Sequence, residues 1–230
     1  MRTLSQRLYT IQTLIPSGVR VADIGTDHGH LPISLIKSGI CERIIACDIR
    51  EKPLMNAREN IEKTGTVGIE LRLGDGLSPV QPDEVDCIVI AGMGGEVIAS
   101  IIDAAEWVRN EKYTLLLQPM TSADALRKYL SENLFGIESE HAVLDNGKLY
   151  TVIKAVFSGK AQPNSEAFYR IGRLDRRDPT AKNYILKQMN IVKKCIDDLK
   201  KAEKTDELDR FEKLLREMEK DICWLLTECF

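Results

Sequence analysis

The sequence predicts an α/β fold, in which a mostly parallel sheet is covered by helices and ends in a β-hairpin, and an α-helical hairpin follows. Three observations predict it. Short apolar runs alternate with amphipathic helical stretches over residues 19–134, which is the pattern of a parallel sheet built from βα units. The pair Asn146-Gly147 separates two further apolar runs and is a strong hairpin signal. After Phe157 the pattern becomes almost entirely helical.

The first predicted domain, residues 1–158, begins with an amphipathic helix over residues 1–17 that ends at Pro16 and Gly18. Five strands follow, at Val19–Ile24, Arg43–Asp48, Ile69–Leu73, Val85–Ala91 and Tyr113–Gln118. Helices are predicted between and after these strands, at Leu31–Ser38, Lys52–Thr64, Glu96–Trp107 and Ser122–Leu134. The hairpin strands Ile137–Leu144 and Leu149–Phe157 complete the sheet with antiparallel pairing.

The second predicted domain, residues 159–230, is helical. A polar linker over residues 158–165 leads to helices predicted at Glu166–Leu174, Thr180–Ala202 and Glu207–Thr227, with Thr205-Asp206 as the turn between the last two. Each long helix carries one apolar stripe: Ile185, Met189, Val192, Ile196 and Leu199 on the first, and Leu208, Phe211, Leu214, Leu215, Met218, Ile222 and Leu225 on the second. Two stripes with a short connection predict an antiparallel, coiled-coil-like hairpin.

Composition excludes several classes of protein. The 230 residues carry a formal net charge of −3, so there is no overall basic field for nucleic acid and any such patch must be local. The most apolar run, Cys87 to Ala91, is too short to span a bilayer, and no signal peptide is apparent. Six cysteines without a C-x-x-C pair and only three histidines predict a reduced, cytoplasmic enzyme with no metal and no membrane partner.

The turn after the first strand, Asp23-Ile24-Gly25-Thr26-Asp27-His28-Gly29, predicts a small-molecule site. Glycine tolerates positive φ and lets a ligand approach the backbone at the start of a helix. A turn that binds a dinucleotide avoids acids because the pyrophosphate lies on it, and Asp23 and Asp27 would repel that group. A sulfonium or amine ligand suits these acids. The turn therefore favours S-adenosylmethionine (SAM) over NAD.

Three further strand ends supply groups for a nucleoside. Asp48 lies 23 residues beyond Gly25, where a carboxylate suits ribose hydroxyls. Gly74-Asp75-Gly76 offers an acid to the adenine amine, and Ala91-Gly92-Met93-Gly94-Gly95 offers flexible backbone beside an apolar thioether. Each also has a purely structural interpretation: Asp48 as a helix N-cap, Gly74–Gly76 as a tight turn and Met93 as a core residue. Because four such loops meet at one sheet edge, we interpret them together as a binding site.

Five parts of the chain resemble the bacterial tRNA adenine-22 N1-methyltransferases: Leu4–Leu8, Asp23–Gly29, Ala91–Gly95, Leu117–Pro119 and the C-terminal helical hairpin. The resemblance covers nearly the whole chain. It implies a Rossmann-like class I methyltransferase domain that transfers a methyl group from SAM to N1 of an adenine in the D-loop region of tRNA. It also implies a helical domain that helps to hold the tRNA. The cofactor-binding residues expected are Asp23, Gly25, Thr26, His28, Gly29, Asp48, Asp75, Gly76, Ala91, Gly92, Met93 and Gly94.

The loop after the fourth strand favours a ring nitrogen as methyl acceptor. Enzymes that methylate an exocyclic base amine commonly carry an N/D-P-P-Y/F/W motif there, whereas Ala91–Gly95 has neither proline nor an aromatic residue. Adenine N1 has an in-plane lone pair and needs no prior deprotonation, so the main task is alignment. Asp27 is the candidate catalytic residue, for positioning the base or accepting a proton after transfer. Contact of Asp27 with the SAM amine is the alternative.

A tRNA substrate also requires cationic side chains near phosphates. The expected tRNA-binding residues are Arg7, Gln118, Arg170, Arg173, Arg176 and Arg177. The alternative for basic residues on helices is an ordinary solvated face, which we favour for residues 193–204. Two other functions stay open: a SAM-dependent small-molecule methyltransferase whose appendage serves dimerisation, and a non-catalytic SAM-binding RNA adaptor. We expect a monomer or a weak homodimer.

Overall fold

The computed structural model describes residues 4–162, 164–202 and 205–227, with side chains described up to Lys220. The strands are β1 (Val21–Ile24), β2 (Ile44–Asp48), β3 (Ile69–Leu73), β4 (Cys87–Gly94), β5 (Thr114–Thr121), β6 (Phe135–Asp145) and β7 (Lys148–Phe157). The α-helices are α1 (Gln6–Leu14), α2 (His30–Lys37), α3 (Glu51–Thr64), α4 (Gly95–Asp103), α5 (Ala123–Glu132), α6 (Glu166–Ile171), α7 (Pro179–Lys201) and α8 (Thr205–Thr227), and a 3₁₀ helix spans Glu106–Val108.

The seven strands form one sheet in the order β3-β2-β1-β4-β5-β7-β6. The first five pair in parallel, and β7 pairs antiparallel with both β5 and β6. The predicted α/β fold class is therefore confirmed. The chain order reverses between β1 and β4, so the carboxyl ends of these two strands flank a crevice where ligands bind in folds of this type.

Alternate residues of the central strands face two apolar clusters on opposite faces of the sheet. Ile88 and Ile90 of β4 pack in the cluster that contains buried residues of α4 and α5, whereas Cys87 and Val89 pack in the cluster that contains α1 and α2. Burial on both faces explains why these strands read as continuous apolar runs rather than as alternating ones.

The hairpin between β6 and β7 turns through two residues, as predicted. Asp145 pairs with Lys148, and Asn146 and Gly147 have φ of 49° and 73°. Positive φ at both central residues matches the right-handed twist of the strands and is tolerated by Asn and Gly. The local chemistry of this turn therefore sets the pairing of the two strands.

The C-terminal helices form an apolar cluster of their own. It contains Ile185, Met189 and Val192 of α7 with Leu214 and Met218 of α8, so the predicted stripes are packing surfaces. The Asp178 side chain caps α7 by accepting from Thr180 N at 2.9 Å. The side chains of Ile222, Cys223 and Leu225, and the residues Pro163 and Cys229, lie outside the described part of the chain.

Three local predictions were wrong. The segment Ala91–Gly94, expected to be a loop, continues β4 as a bulged extension that pairs with β5. Thr205-Asp206, expected to be a turn, begins helix α8. Helix α6 ends at Ile171 rather than Leu174, because Gly172 has φ of 75°, outside the helical region. A side chain at this position would overlap Glu140 and Arg127.

Two class predictions can be compared with the described part of the chain. Cys41, Cys47, Cys87 and Cys195 are free thiols. Among the described residues, no helix is long and apolar enough to cross a membrane, and no cluster of three or more metal-ligating side chains is found.

Candidate cofactor and methyl-acceptor site

Two adjoining cavities lie at the carboxyl edge of β1, β2 and β4. The larger has a volume of about 930 Å³ and reaches from the end of β2 to α4, and the smaller has a volume of about 370 Å³ and opens toward α1. Four residues border both cavities: Gly25, Asp48, Arg50 and Met93. A ligand in the larger cavity can therefore meet a ligand in the smaller one at this junction.

The turn after β1 takes the geometry that its glycines allow. Gly25 and Gly29 have φ of 78° and 68°, a region that costs most other residues free energy. The amides of Gly25 and Thr26 both donate to Cys47 O, at 2.8 and 2.9 Å. A Cβ at Gly25 would overlap the Met93 Cε methyl. The turn is thus anchored to β2, and only glycine leaves room for the Met93 thioether.

Asp23 is a buried acid in β1 beside the smaller cavity, with 5% of its surface exposed. Burial, and to a smaller extent the charge of Asp48, raise the pKa of this carboxyl to about 6, while the Thr26 hydroxyl opposes the rise. A cation bound nearby would favour the ionised form. Asp23 therefore makes this end of the site selective for positive charge.

Thr26 and Asp48 line the site and have side-chain oxygens that can form further hydrogen bonds. Thr26 is buried, and its Oγ1 makes no hydrogen bond of normal geometry within the protein, although buried hydroxyls normally make one. It lies close enough to Asp23 to lower the pKa of that carboxyl. Asp48 is 6% exposed, and its Oδ1 accepts from Arg50 N at 2.9 Å. An acid at the end of β2 and an orphaned hydroxyl beside a glycine turn fit a ligand that carries a ribose and an amine, as SAM does.

The remaining predicted cofactor residues divide between the cavities. Asp75 and Gly76 line the larger one, and Ala91, Gly92, Thr26 and His28 line the smaller one. Gly29 and Gly94 border neither cavity: a Cβ at Gly29 would lie 3.2 Å from Ala57 Cβ, and Gly94 precedes α4 as its N-cap. The structural role of these two glycines is packing and helix initiation.

The apolar wall of the larger cavity was missed by sequence reasoning. It is formed by Ile49, Leu77, Val97, Ile101 and Trp107. Ile49 directly follows Asp48, and both Ile49 and Val97 are more than half exposed. An apolar residue directly after the acid that ends β2 was the signal in the sequence, because the other members come from distant elements. This wall suits a purine ring.

Asp27 and two histidines surround the smaller cavity. Asp27 has φ of 47°, its side chain is 61% exposed, and its Oδ2 lies 3.5 Å from His28 Nε2. The rings of His28 and His30 stack with centroids 5.4 Å apart. A non-glycine residue held at positive φ is uncommon and is enriched at functional sites. Asp27 thus presents a solvated carboxylate at the mouth of this cavity.

Arg7 and Gln118 form a contact between α1 and β5 rather than a free surface. Arg7 Nη1 donates to Gln118 Oε1 at 2.6 Å, and Arg7 Nε donates to Asp145 Oδ2 at 2.8 Å. Gln118 has no exposed surface, whereas Arg7 lines the smaller cavity. The structure therefore brings Arg7 to the site and places Gln118 behind it.

The four arginines predicted to contact tRNA, at positions 170, 173, 176 and 177, have different partners within the protein. Arg170 pairs with Asp124 at 2.9 Å, and Arg177 pairs with Asp175 at 3.0 Å. Arg173 Nη1 donates to Ile137 O, and Arg176 Nη1 donates to Leu174 O. These four residues line neither of the two cavities.

Comparison with known proteins matches this chain to methyltransferases. The family described as "Methyltransferase domain" matches residues 4–153. A Bacillus subtilis protein named tRNA (adenine(22)-N(1))-methyltransferase is 37% identical over 153 residues, which cover 66% of this chain. The match spans 64% of the length of that relative, slightly less than two thirds.

Solved structures match over more of the chain. The crystal structure of the B. subtilis m1A22 tRNA methyltransferase TrmK has a TM-score of 0.81 at 28% identity, covering 94% of this chain and 98% of that one. A Mycoplasma capricolum TrmK structure in complex with S-adenosyl-homocysteine has a TM-score of 0.79 at 25% identity, covering 96% and 98%. A Streptococcus pneumoniae relative solved with S-adenosyl-L-methionine has a TM-score of 0.79 at 27% identity, covering 93% and 100%.

Proposed function

Because this chain belongs to the methyltransferase-domain family, we propose that it transfers a methyl group from SAM to N1 of an adenine in tRNA, at position 22. The observation that carries the proposal is the pair of cavities that meet at Gly25, Asp48 and Met93. One is large enough for the cofactor, and the other opens beside Asp27. The B. subtilis relative, named for this reaction, supports the same assignment.

The residues of the larger cavity fit the cofactor. Asp48, Asp75 and the wall that contains Ile101 and Trp107 all line this cavity. We assign Asp48 to the ribose hydroxyls, Asp75 to the adenine amine and the apolar wall to the purine ring. Asp23 and Thr26 border the end of the site where the amine and sulfonium of SAM would lie. When bound, SAM supplies a methyl group activated by the positive charge on sulfur.

Methyl transfer to N1 requires the ring nitrogen to be aligned with the methyl group, whereas no proton has to be removed from N1 first. The N1 lone pair of adenine forms the new N–CH₃ bond as the S–CH₃ bond breaks, and the positive charge passes from sulfur to the adenine ring. No proton leaves N1, so no base is needed before transfer. Asp27 lines the smaller cavity, and we assign to its carboxylate the role of stabilising the cationic ring or of accepting a proton from it afterwards.

The segment after β4 favours a ring nitrogen over an exocyclic amine. Its Ala91–Gly94 residues continue the strand, and Met93 places a thioether at the junction of the cavities. This segment carries no proline or aromatic side chain to hold an amine. We infer that the adenine is held by other groups at the mouth of the smaller cavity, while Met93 packs against the reacting atoms.

The C-terminal helices complete the proposal for a macromolecular substrate. We place the boundary between the catalytic domain and the helical domain at 158/159, and assign tRNA contact to the helical domain. Arg7 lines the smaller cavity and is assigned the role of holding α1 there. We expect the protein to act in the cytoplasm as a monomer or a weak homodimer.

The decisive experiment uses SAM carrying a labelled methyl group and an unmodified tRNA transcript. After incubation, nuclease digestion and chromatography identify the methylated nucleoside, and a transcript with guanosine at position 22 serves as control. The expected product is 1-methyladenosine that is lost with the control transcript. Label in N6-methyladenosine, or in no nucleoside, would reject the proposal.

A further inference from the structure

A third cavity lies between the sheet and α7, next to the smaller catalytic cavity. Its volume is about 250 Å³, below the range typical of sites that enclose a whole small molecule. Its walls come from the end of β5, the start of α5, the start of β7 and one face of α7. We call it the interdomain cleft. Its size suits one sugar-phosphate unit of a polymer rather than a complete free ligand.

The interdomain cleft adjoins the smaller catalytic cavity. Met120 lines both the smaller catalytic cavity and the cleft. Tyr150 lines the cleft, and the guanidinium of Arg7, which lines the catalytic cavity, lies 5.1 Å from the centroid of its ring. A strand that delivers a base to the catalytic cavity therefore passes next to the cleft.

The charged groups of the cleft are suited to a phosphate. Lys187 is exposed, and its Nζ makes only a long contact of 3.4 Å with Leu149 O. Arg170 also lines the cleft and is paired with Asp124 in a partly exposed ion pair. Such pairs contribute little to stability, so a phosphate can replace the carboxylate as partner of Arg170 at low cost.

Only some of the basic residues in this region line the cleft. Arg170 and Lys187 line it, whereas Arg173, Arg176 and Arg177 do not. The latter three make contacts with carbonyl oxygens or with Asp175. Of the basic residues between positions 170 and 187, Arg170 and Lys187 therefore line the cleft beside the smaller catalytic cavity.

We propose that the interdomain cleft binds the RNA backbone next to the target adenine, with Lys187 and Arg170 contacting phosphate. This inference rests on the proposed function, because it takes the base in the neighbouring cavity to belong to a polynucleotide. Asp124 acts against binding, since its negative charge faces the same space. The cleft thereby sets the position of the strand relative to the catalytic cavity.

The test measures the equilibrium affinity of the full-length protein for an unmodified tRNA transcript over a series of salt concentrations. Lys187→Ala is expected to weaken binding roughly tenfold, as expected for the loss of a charged hydrogen bond. It should also reduce the slope of log K against log salt by about 0.7 to 0.9, the value for one phosphate contact. Asp124→Asn should have the opposite effect and tighten binding.

Lys193→Ala is the matched control, because it removes the same charge from a residue of α7 that does not line the cleft. Thermal unfolding and SAM affinity verify that each variant is folded. If Lys187→Ala behaves like the control and Asp124→Asn does not tighten binding, the cleft is not an RNA site, and the proposed function stands on its own assay.

If the wild type binds the transcript without methylating N1, and Lys187→Ala still lowers the slope, the proposed function fails while the cleft remains an RNA site. If the wild type binds no tRNA, the inference about the cleft is overturned together with its premise.

Discussion

The guanidinium of Arg127 and the carboxylate of Glu140 form an ion pair in which neither side chain has exposed surface, with Nη2 and Oε1 2.6 Å apart. Arg127 Nη1 also donates to Tyr169 O at 2.6 Å, and Glu140 Oε2 accepts from Arg173 N at 3.0 Å. One charge pair thus ties α5 and β6 to the segment that leads into the C-terminal helices.

Removal of one member of this pair should destabilise the protein severely. Glu140→Ala leaves the Arg127 guanidinium buried without its counter-charge, which typically costs about 3–5 kcal/mol. The measurement is the free energy of unfolding from urea denaturation. Glu138→Ala is the matched control, since Glu138 pairs with Lys154 nearer the surface and should change stability by less than about 1 kcal/mol. Equal losses for the two variants would contradict a structural role for the buried pair.

Gly25→Ala should weaken SAM binding through Met93. The new Cβ overlaps the end of the Met93 side chain, so the thioether must move into the junction of the two cavities. We expect SAM affinity to fall at least roughly tenfold, equivalent to about 1.4 kcal/mol, as measured by calorimetry. The double variant Gly25→Ala/Met93→Ala should recover part of the loss, because it removes the overlap.

Gly39→Ala tests how much of the Gly25→Ala effect comes from strain at positive φ alone, without an overlap with another side chain. Gly39 has φ of 69° and nothing within 4 Å of its added Cβ. This variant should cost about 1–2 kcal/mol of stability, as expected for an alanine at positive φ, and leave SAM affinity unchanged. Weaker SAM binding in Gly39→Ala would assign the Gly25 effect to general destabilisation.

Asp23 should give the protein a pH dependence near pH 6. Its folded-state pKa of about 6 exceeds the ordinary value of 3.8, so the folded state binds more protons and stability falls as pH rises from about 4 to 6. Asp23→Asn should remove this fall and add up to roughly 3 kcal/mol at pH 7. SAM affinity should rise with pH through the same range in the wild type only.

Asp86 should give the stability of the protein a pH dependence of the opposite sign. The hydrogen bond from Arg20 lowers the pKa of the Asp86 carboxyl, so its contribution to stability is present at neutral pH and is lost as pH falls through the lowered pKa. Asp86→Asn should therefore destabilise at neutral pH, measured by the same denaturation series. The same pH profile for both variants would refute the assignment of the pH 6 transition to Asp23.

Asp27 is expected to act on the methyl-transfer step. Asparagine also tolerates positive φ, so Asp27→Asn removes the charge while the backbone is kept. We expect the rate at saturating substrates to fall about 10²-fold, the size of effect seen when one electrostatic stabiliser is removed, with unchanged SAM affinity. Asp197→Asn on α7 is the control. A loss confined to SAM affinity would instead place Asp27 on the cofactor amine.

Features set by local chemistry could be predicted from the sequence. The hairpin turn follows from Asn146-Gly147, because only a few residues accept positive φ at both positions. The glycine turn after β1 and the acid at the end of β2 are likewise encoded over a few residues. These local signals were enough to predict the sheet and several of the polar residues that line the two cavities at its edge.

Features that depend on distant contacts could not be predicted. Gln118 and Arg7 are 111 positions apart in the sequence, so no local pattern indicates that the glutamine is buried behind the arginine. The Ala91–Gly94 segment reads as a loop because of its glycines, yet it is held as a strand by pairing with β5. Tertiary pairing overrides propensity in both cases.

Arg7 should stabilise the position of α1 through a geometry that lysine cannot reproduce. Its guanidinium donates to both Asp145 and Gln118, whereas an ammonium is a single compact charge. Arg7→Lys keeps the charge but loses one of these bonds, which should cost about 1.5–3 kcal/mol for a bond to a charged group. Denaturation and hydrogen exchange of the α1 amides measure the loss.

Arg58→Lys on α3 makes the same substitution at an exposed position and should leave stability within about 0.5 kcal/mol of the wild type. The pair of variants separates two roles of Arg7. If it holds α1, Arg7→Lys lowers protection of the α1 amides even without tRNA, and the salt dependence of tRNA binding is unchanged because the charge is retained. If its main role is to contact phosphate, stability and exchange stay at wild-type values while tRNA affinity falls. We expect the first result, because the Arg7 guanidinium donates to both Asp145 and Gln118. If it moved to a phosphate, both buried acceptors would lose this donor, which costs free energy.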